Sequence, residues 1–417
     1  MNLRVERVSE ATGGRILQNA GSVFTSYTID SRKVRPGALF FALRGTVTDG
    51  HLYVGAAAEA GAAGAVVEKE VTASSAFTLI QVSDSLKALQ TLAASVRNAS
   101  NARFIGITGS SGKTSTKEFT AALLSQKRRV YKSEGNLNSI TGLPLSLLAM
   151  EEPEYAVFEI GMSEPGEIAG LAVLLQPHIR VLLNVNPVHL GQFSSVDAIA
   201  EEKCSLLNEI RPDHTMIYNA DDARIAERIR RFTASRISYG FAREADLQIV
   251  DVRSHGVLGQ EAALRWKETR HPFRTVLCGR GNLYNIAAAA STAIACGLDW
   301  SEILSGIESL RPYNQRGLLI HCNGFDLYDD SYNSNPAALK FALEMAAESS
   351  GYRRKVAILG DMLELGPGET EFHIEAGRTA AALGMDVLIT AGPRSRLLGQ
   401  AAREAGLPAV REANDSV

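Results

Sequence analysis

A glycine-rich turn between a strand pattern and a helix pattern is the first candidate for chemistry in this chain. Residues 104–117 read FIGITGSSGKTSTK. Glycines let the backbone approach a polyphosphate, and the exposed N–H groups of such a turn bind its oxygens. Lys113 can reach the β- and γ-phosphates, and the Thr114 hydroxyl can hold Mg²⁺. The expected nucleotide contacts are Gly109, Ser110, Ser111, Gly112, Lys113, Thr114 and Ser115.

The spacing of this turn is one residue longer than the common phosphate-loop pattern. That pattern is G-x-x-x-x-G-K, whereas five residues separate Gly106 from Gly112. A chance glycine-rich turn is the alternative interpretation. The strand pattern before the turn and the helix pattern after it favour a phosphate loop.

Two polar residues are expected at the carboxyl edge of a buried sheet. Glu159 interrupts the apolar strand pattern of residues 155–161 near its carboxyl end. A buried carboxylate is costly unless a cation or several donors meet it, and open α/β sheets bind ligands at that edge. His189 follows the next predicted strand and would lie above the same edge. The alternative for each is a hydrogen-bonded structural residue.

Lys203 lies on the apolar face of a predicted helix. The helix is expected to begin with a capping box from Ser194 to Asp197, and its apolar stripe from Val196 to Ile210 includes position 203. A buried lysine loses proton affinity through desolvation. A neutral amine can react with CO₂ to give a carbamate, which is an anionic oxygen ligand. The alternative is a lysine whose apolar stem covers the core while its amine reaches water.

Size and composition indicate a multidomain globular protein. The 417 residues favour two or three domains, with 45% hydrophobic and 21% charged residues. A net charge of −3 argues against a general nucleic-acid binder. The four cysteines form no CxxC pair and are typical of a reducing compartment. No apolar run predicts a membrane span, and the N-terminus lacks the apolar core of a signal peptide, so we expect a cytoplasmic protein.

Three segments follow from the alternation of strand and helix patterns, and the fold class is α/β. Residues 1–100 form a small α/β segment that includes a helix near 85–98. Residues 101–308 form a central parallel-sheet segment, with an antiparallel part near 237–277 and a helix from Asn285 to Ala295. Residues 309–417 repeat the alternation as a smaller doubly wound domain. The expected strands are Ala38–Leu43, Ala65–Glu68, Arg103–Ile107, Tyr155–Ile160, Arg180–Val185, Thr215–Tyr218, Phe325–Tyr328, Lys355–Leu359 and Val387–Thr390, and the C-terminal helices lie near 336–349, 370–383 and 396–405.

Several longer motifs resemble the Mur ligases, the peptide-adding enzymes of bacterial cell-wall synthesis, which share a fold with folylpolyglutamate synthase. The resemblance covers almost the whole chain. It rests on ITGSSGKTSTKE at 107–118, EGNLNSITGLPLSLL at 134–148, GRGNLYNIAAA at 279–289, DDSYNSNP at 329–336 and ILGDMLELG at 358–366. Residues 28–45 and the DGH at 49–51 resemble the family's UDP-substrate domain. The resemblance therefore implies a UDP-substrate domain, a central ATP-binding domain and a Rossmann-like C-terminal domain.

The resemblance also implies a role for each matching residue. Lys113 would contact the γ-phosphate of ATP, and two Mg²⁺ ions would be held, one by Thr114 and Glu159 and the other by Glu159, His189 and carbamylated Lys203. Asn285 would approach the adenine, and Arg316 and Asp330 would reach ATP from the C-terminal domain. The substrate contacts would be Asn136 and Asn138, with Ser31 and Arg32 on the UDP-binding face.

Within the family, the motifs most resemble the members that add D-alanyl-D-alanine to UDP-N-acetylmuramoyl-tripeptide. That implies ATP-dependent ligation through an acyl-phosphate, by a monomer with no nucleic-acid partner and no membrane span. Another Mur ligase or a folylpolyglutamate synthase is the alternative within the class. DDSYNSNP at 329–336 favours the D-alanyl-D-alanine enzymes, and no Asp-Asn-Pro-Arg box is present.

Alternatives from other classes are a phosphate-loop kinase or nucleotide switch and a non-catalytic ATP-binding scaffold. A switch would not need Lys203 on an inward helix face, nor a third domain that offers Arg316 and Asp330. The family normally continues beyond the position of Val417 with another strand and a final helix. We therefore expect an incomplete C-terminal domain in this chain.

Overall fold

A computed structural model describes residues 2–187 and 192–413. The strands are β1 (Leu3–Arg4), β2 (Arg15–Gln18), β3 (Val23–Phe24), β4 (Ser26–Thr28), β5 (Ala38–Phe41), β6 (Gly64–Val67), β7 (Thr78–Gln81), β8 (Arg103–Thr108), β9 (Val130–Lys132), β10 (Tyr155–Glu159), β11 (Ile179–Leu182), β12 (Thr215–Asn219), β13 (Ser235–Gly240), β14 (Leu247–Ser254), β15 (Gln260–Trp266), β16 (Thr269–Thr275), β17 (Leu318–Cys322), β18 (Phe325–Asp329), β19 (Val356–Gly360), β20 (Val387–Ala391) and β21 (Val410–Ala413).

The helices alternate with these strands over most of the chain. They are α1 (Val5–Thr12), α2 (Val54–Glu59), α3 (Ser85–Ala99), α4 (Lys113–Ser125), α5 (Gly142–Leu148), α6 (Glu167–Leu175), α7 (Val196–Cys204), α8 (Ala223–Ile229), α9 (Gly279–Ala295), α10 (Trp300–Ser309), α11 (Pro336–Glu348), α12 (Glu369–Ala382) and α13 (Ser395–Glu404). Within the described residues, no helix is both long and apolar enough to cross a bilayer.

The chain divides into two compact units. The first comprises residues 1–106, 129–162 and 167–177, and the second comprises residues 107–128, 163–166 and 178–417. The motifs quoted in the sequence analysis therefore lie in both units. Each unit is described separately below.

The first unit contains a five-stranded sheet in the order β2-β7-β6-β5-β4. The strands β4 to β7 run parallel, while β2 runs antiparallel to β7. Helix α3 begins at the N-cap Asp84, whose carboxylate accepts from Lys87 N, and buries Leu89 and Leu92 on one face. The same unit pairs β9 with β10 in parallel, and every residue of β10 is buried. This burial explains the nearly continuous apolar pattern around Glu159.

The second unit contains parallel strands β11 to β14, followed by the antiparallel pairs β14-β15 and β15-β16. The antiparallel part predicted near residues 237–277 is thus confirmed from β14 onward, whereas β13 joins the parallel strands. Helix α9 packs against α4 and against β12 and β13. Its buried residues include Ala287, Ala288, Ala289 and Ala290, whose small side chains allow close packing.

Helix α9 begins at Gly279, six residues before the predicted start at Asn285. Glycine is a weak helix former, so the GRG run at 279–281 favoured a turn in the sequence. In the structure, Asn282 Nδ2 donates to Cys278 O at 2.8 Å, and Gln260 Nε2 donates to Gly279 O at 3.0 Å. These bonds hold the backbone of residues 278 and 279 and so stabilise the first turn of the helix.

The C-terminal part of the second unit contains a three-stranded parallel sheet in the order β19-β20-β21. Helices α11, α12 and α13 share one apolar core with this sheet, built from residues such as Leu343, Leu388 and Leu398. The predicted alternation of strands and helices is confirmed for β19 and β20, and β21 is a further strand that the sequence analysis did not predict. The predicted strand at 325–328 is present as β18, but it pairs with β17 in a separate antiparallel hairpin.

Candidate active site

The phosphate loop lies between the end of β8 and the start of α4, as the sequence predicted. Gly112 has φ of +82°, a left-handed conformation that favours glycine. A Cβ at Gly112 would lie 2.3 Å from Asn285 Oδ1, and a Cβ at Gly109 would lie 2.7 Å from Leu183 Cβ. Both glycines are therefore required by the close approach of the loop to its neighbours.

Two asparagines that the sequence analysis missed hold the loop in place. Asn184 Oδ1 accepts from Ser111 N at 2.9 Å, and Asn184 Nδ2 donates to Ser111 O at 3.1 Å. Ser110 Oγ accepts from Asn186 N at 2.8 Å. The only signal in the sequence is the NVNP run directly after β11, since polar residues at the carboxyl end of a buried strand tend to serve a site.

Lys113, Thr114 and Asn285 lie at this loop. Lys113 Nζ donates to Gly109 O at 2.9 Å, so its amine lies over the loop. Thr114 and Asn285 are both buried, and Asn285 Oδ1 accepts from Thr116 Oγ1 at 3.3 Å. The structure thus brings Asn285 together with the glycines and the first turn of α4.

Lys203 is buried as predicted, with 2% of its surface exposed. Burial lowers its pKa well below the usual value for lysine, and the charge of Lys113 lowers it further. A shift in this direction favours the neutral form of the amine. Because the side chain is buried, the interpretation of Lys203 as a lysine that reaches water with its amine is wrong.

The helix that carries Lys203 is fixed at both ends. The N-cap is Ser195 rather than the predicted Ser194, because Ser195 has the extended backbone and accepts from Ala198 N. At the other end the helix stops at Cys204, and Arg180 donates to Leu206 O at 2.7 Å and Asn208 O at 2.6 Å. These contacts leave little freedom for the helix to rotate Lys203 toward solvent.

The outer face of α7 carries charges that stay at the surface. Glu201 pairs with Arg228 and Arg231, each at 3.0 Å, and Glu202 Oε2 accepts from Gly166 N at 2.8 Å. The opposite placement of these carboxylates and of Lys203 confirms the predicted helix orientation.

The first unit places Glu159 and Asn138 together. Glu159 is 3% exposed, and its Oε1 accepts from Asn138 Nδ2 at 2.7 Å. Asn138 N donates to Asn136 O at 2.7 Å, and Asn138 O accepts from Gly161 N at 2.9 Å. A predicted metal ligand and a predicted substrate residue are therefore in direct contact.

Ser31 and Arg32 lie in a short 3₁₀ turn of the first unit, after β4. The Asp30 carboxylate accepts from Arg32 N at 3.1 Å and from Arg32 Nε and an Nη, both at 2.9 Å. These bonds lower the pKa of Asp30 to about 2. The Arg32 side chain is 86% exposed, so its guanidinium lies on a surface as the predicted UDP-binding role requires.

Arg316 and Asp330 lie close together in the second unit. The guanidinium carbon of Arg316 lies 3.9 Å from the ring centre of Tyr332, and the Arg316 Nε is buried without a hydrogen-bond partner among the described residues. Burial raises the pKa of Asp330 to about 6, although the nearby Arg316 opposes that shift. A carboxylate whose pKa is raised toward neutral pH is a candidate functional group.

A second cluster that the sequence analysis missed lies at the carboxyl ends of β12 and β13. The Arg280 guanidinium lies 3.6 Å from the ring centre of Phe241, and the Phe241 and Tyr284 rings are 5.0 Å apart. The Asp221 carboxylate accepts from Tyr284 Oη and from Phe241 N, each at 2.7 Å. The two rings meet edge to face, at 74°, and Tyr284 directly precedes Asn285 on α9.

His189 lies outside the described residues. Among residues 2–187 and 192–413, no group of three or more His, Cys, Asp or Glu side chains is close enough to hold a metal ion.

Family models match three successive parts of the chain. They are described as "Mur ligase family, catalytic domain" over residues 23–97, "Mur ligase middle domain" over 107–293 and "Mur ligase, glutamate ligase domain" over 315–416. A UDP-N-acetylmuramoyl-tripeptide–D-alanyl-D-alanine ligase from Bacillus subtilis is 33% identical over 403 residues, which cover 95% of this chain and 87% of that protein. The chain belongs to the Mur ligase family.

Other members of the Mur ligase family agree with this assignment. The ligase of the same description from Escherichia coli is 34% identical over 92% of this chain and 85% of its own length. A crystal structure of MurF from Acinetobacter baumannii has a TM-score of 0.90 at 28% identity and covers 99% of this chain and 90% of that chain. MurF from Thermotoga maritima in complex with ADP has a TM-score of 0.80 at 27% identity, with 93% of each chain covered. The predicted α/β fold of a three-domain Mur ligase is thereby confirmed.

We expect Gly112→Ala to abolish nucleotide binding while the fold persists. The new Cβ would meet Asn285 Oδ1, and the left-handed backbone would be strained. Isothermal titration with ADP and Mg²⁺ measures the effect. Gly170→Ala is the matched control, because a Cβ there meets nothing within 4 Å and lies within α6. Wild-type ADP affinity in Gly112→Ala would contradict the assignment of the loop.

We expect Asp330→Asn to stabilise the fold more at neutral pH than at acid pH. Because folding raises the pKa of Asp330 from 3.8 to about 6, its stabilising contribution is complete below pH 3.8 and is lost as the pH rises through 6. Asparagine does not ionise, so the variant should gain relative to the wild type across that window, by at most about 3 kcal/mol. Chemical unfolding at a series of pH values measures the difference.

The control for that series is Asp251→Asn, which alters a surface carboxylate paired with Arg270. It should change stability little, because exposed ion pairs contribute about 0–1 kcal/mol. An Asp330→Asn effect that is constant from pH 4 to 8 would show that the carboxylate does not titrate in this range.

Proposed function

We propose that this chain joins D-alanyl-D-alanine to UDP-N-acetylmuramoyl-tripeptide, with hydrolysis of ATP to ADP and phosphate, in the synthesis of peptidoglycan precursors. The relatives reported above that are at least 30% identical carry this description. The observation that carries the proposal is the presence, in one compact unit, of a phosphate loop and a buried lysine of lowered pKa. A simple nucleotide switch has no need of that lysine.

In the first step, the carboxylate of the tripeptide attacks the γ-phosphorus of ATP. The bond from that phosphorus to the bridging oxygen breaks, and ADP leaves with the electron pair. The N–H groups at the start of α4, which have no partner within the helix, and the Lys113 ammonium would neutralise charge on the transferred group. The product is an acyl-phosphate, in which phosphate is a good leaving group.

In the second step, the amine of D-alanyl-D-alanine attacks the acyl carbon. A tetrahedral intermediate forms and collapses to the amide as phosphate leaves, and the amine loses a proton to solvent or to a nearby base. Both steps require the reacting atoms to be held in line, which is a problem of orientation. We assign the orientation of the carboxylate to Asn136 and Asn138, and binding of the UDP group to Ser31 and Arg32.

For Mg²⁺, the donor chemistry of the chain fits a site built with phosphate oxygens. We propose Thr114, Glu159, His189 and carbamylated Lys203 as the protein donors for two ions. The fit rests on the burial of the Glu159 carboxylate and on the lowered pKa of Lys203, which favours the neutral amine that reacts with CO₂. Bound Mg²⁺ would supply charge neutralisation at the transferring phosphoryl group.

For the nucleotide, we propose that Asn285 and the aromatic surface of Phe241 and Tyr284 hold the adenine. Aromatic rings and an arginine plane offer stacking surfaces to a base. Arg316 and Asp330 would contact ATP from the C-terminal part of the chain, as the buried Arg316 Nε and the raised pKa of Asp330 suggest. We further propose that the ligase acts as a monomer in the cytoplasm, where ATP and UDP-linked precursors are available.

We expect phosphate release only when ATP, Mg²⁺, UDP-N-acetylmuramoyl-tripeptide and D-alanyl-D-alanine are all present. The amine completes the reaction, since the acyl-phosphate has no other acceptor in a water-excluded site. A coupled phosphate assay, with each substrate omitted in turn and with D-glutamate, L-lysine and L-glutamate as competing amines, measures this. Release without an amine would favour a nucleotide switch, and release only with another amine would favour a different ligase of the family.

We expect Lys203→Ala to reduce ligation to near background, and high bicarbonate not to restore it. Alanine removes the amine that would form the carbamate, whereas the neighbouring loop stays intact. Steady-state rates measure the loss, and ¹³C NMR with labelled bicarbonate tests whether the wild type shows a carbamate signal that the variant lacks. Lys127→Ala, which alters an exposed lysine just after α4, is the control. Full activity in Lys203→Ala would remove the carbamate proposal.

A further inference from the structure

Lys117 is a buried lysine that the reaction described above does not use. It lies on α4 one helical turn after Lys113, and its side chain is 0% exposed. Its Nζ lies 3.2 Å from Glu118 Oε1, and Glu118 is itself buried. Burial removes both charges from water, and their mutual attraction offsets that loss of solvation only in part. An apolar side chain would therefore stabilise the core at least as well. The charge at position 117 therefore calls for a role other than packing.

The Lys117 amine faces a segment that connects two elements of the second unit. Its Nζ lies 5.9 Å from the ring centre of Tyr313, within the range of a cation–π interaction. Tyr313 belongs to residues 310–317, which run between α10 and β17. Lys117 thus connects the helix of the phosphate loop to this segment.

A tight turn joins Tyr313 to Arg316. Asn314 has φ of +52°, and Arg316 N donates to Asn314 O at 2.9 Å. Gln315 O accepts from Tyr332 N at 3.1 Å, and Tyr332 supplies the ring beneath the Arg316 guanidinium. Because the turn is short and hydrogen-bonded, the position of the Tyr313 ring constrains where the Arg316 side chain begins.

We propose that Lys117 is a positioning residue that, through Tyr313, fixes the turn carrying Arg316 relative to the phosphate loop. The inference rests on the proposed function, in which Arg316 contacts ATP. Lys113 and Lys117 lie on one face of α4, so the helix that binds the phosphates also anchors the turn. A buried ion pair that served the core alone would have no such coupling to Arg316.

The test is a set of double-mutant cycles between Arg316→Ala and either Lys117→Met or Tyr313→Leu. We expect Lys117→Met and Tyr313→Leu each to raise the ADP dissociation constant and the KM for ATP by about tenfold, as coupled groups in one network do. Adding Arg316→Ala to either should then cost less than about twofold more, because Arg316 is already misplaced. Tyr313→Phe keeps the ring and should keep most of the affinity.

Thr120→Val is the matched control for burial. Thr120 is fully buried on α4, and its hydroxyl has no hydrogen-bond partner among the described residues. The Thr120→Val substitution should leave nucleotide affinity unchanged, and its effect should add to that of Arg316→Ala. Thermal unfolding of every variant separates loss of fold from loss of coupling, and Tyr313→Leu decides the question if Lys117→Met does not fold.

Additive losses, with Arg316→Ala costing the same in every background, would overturn the positioning role. The equilibrium measurement with ADP keeps this outcome separate from failure of the proposed function. Absence of phosphate release in the wild type would reject the proposed ligation, whereas the cycles in ADP affinity would still report on Lys117.

Discussion

The burial of the Lys203 amine, which lowers its pKa, is the constraint on which the rest of the proposed site depends. An isolated ammonium in a protein interior is so poorly solvated that the group gives up its proton instead. The nearby charge of Lys113 acts in the same direction. This state can persist only if the helix cannot turn its lysine outward, and the Ser195 cap and the Arg180 contacts beyond Cys204 meet that requirement. The structural role of Arg180 and the chemistry of Lys203 are thus parts of one arrangement.

The phosphate loop depends on a second constraint, which is close backbone approach. Gly112 leaves no room for a side chain beside Asn285, and Gly109 leaves none beside Leu183. The loop is then held by the amides of Asn184 and of Asn186, which follow β11. An anion cradle made of backbone N–H groups works only when those groups point the same way before the ligand arrives. The asparagines fix the loop through Ser111 N and Ser110 Oγ without adding charge, so the N–H groups left for an anion are those at the start of α4.

The sequence predicted those features that depend on local spacing. The glycine run predicted the phosphate loop. The 3.6-residue period predicted that Lys203 points inward, but it could not show whether Ser194 or Ser195 is the N-cap. It could not give the roles of Asn184, Phe241 and Arg280, because these depend on which strand ends lie side by side. Strand order is set by contacts distant in sequence, and a single sequence carries little trace of them. The start of α9 was predicted six residues too late, because glycine is a weak helix former and because the contact from Gln260, which is distant in sequence, could not be foreseen.

The second unit also contains a carboxylate, that of Asp330, which lowers the stability of the folded chain at neutral pH. Burial raises the pKa of Asp330 to about 6, so at neutral pH the folded chain holds a charge that it solvates poorly. An asparagine would fill the same space at lower cost, which argues that the charge is kept for what it does. Arg316 lies near enough to favour the ionised form and is itself held against Tyr332, with its Nε buried. The Asp330 carboxylate and the Arg316 guanidinium therefore satisfy each other only in part, and a polar ligand could supply further hydrogen bonds. A nucleotide offers hydroxyls to the carboxylate and phosphates to the guanidinium.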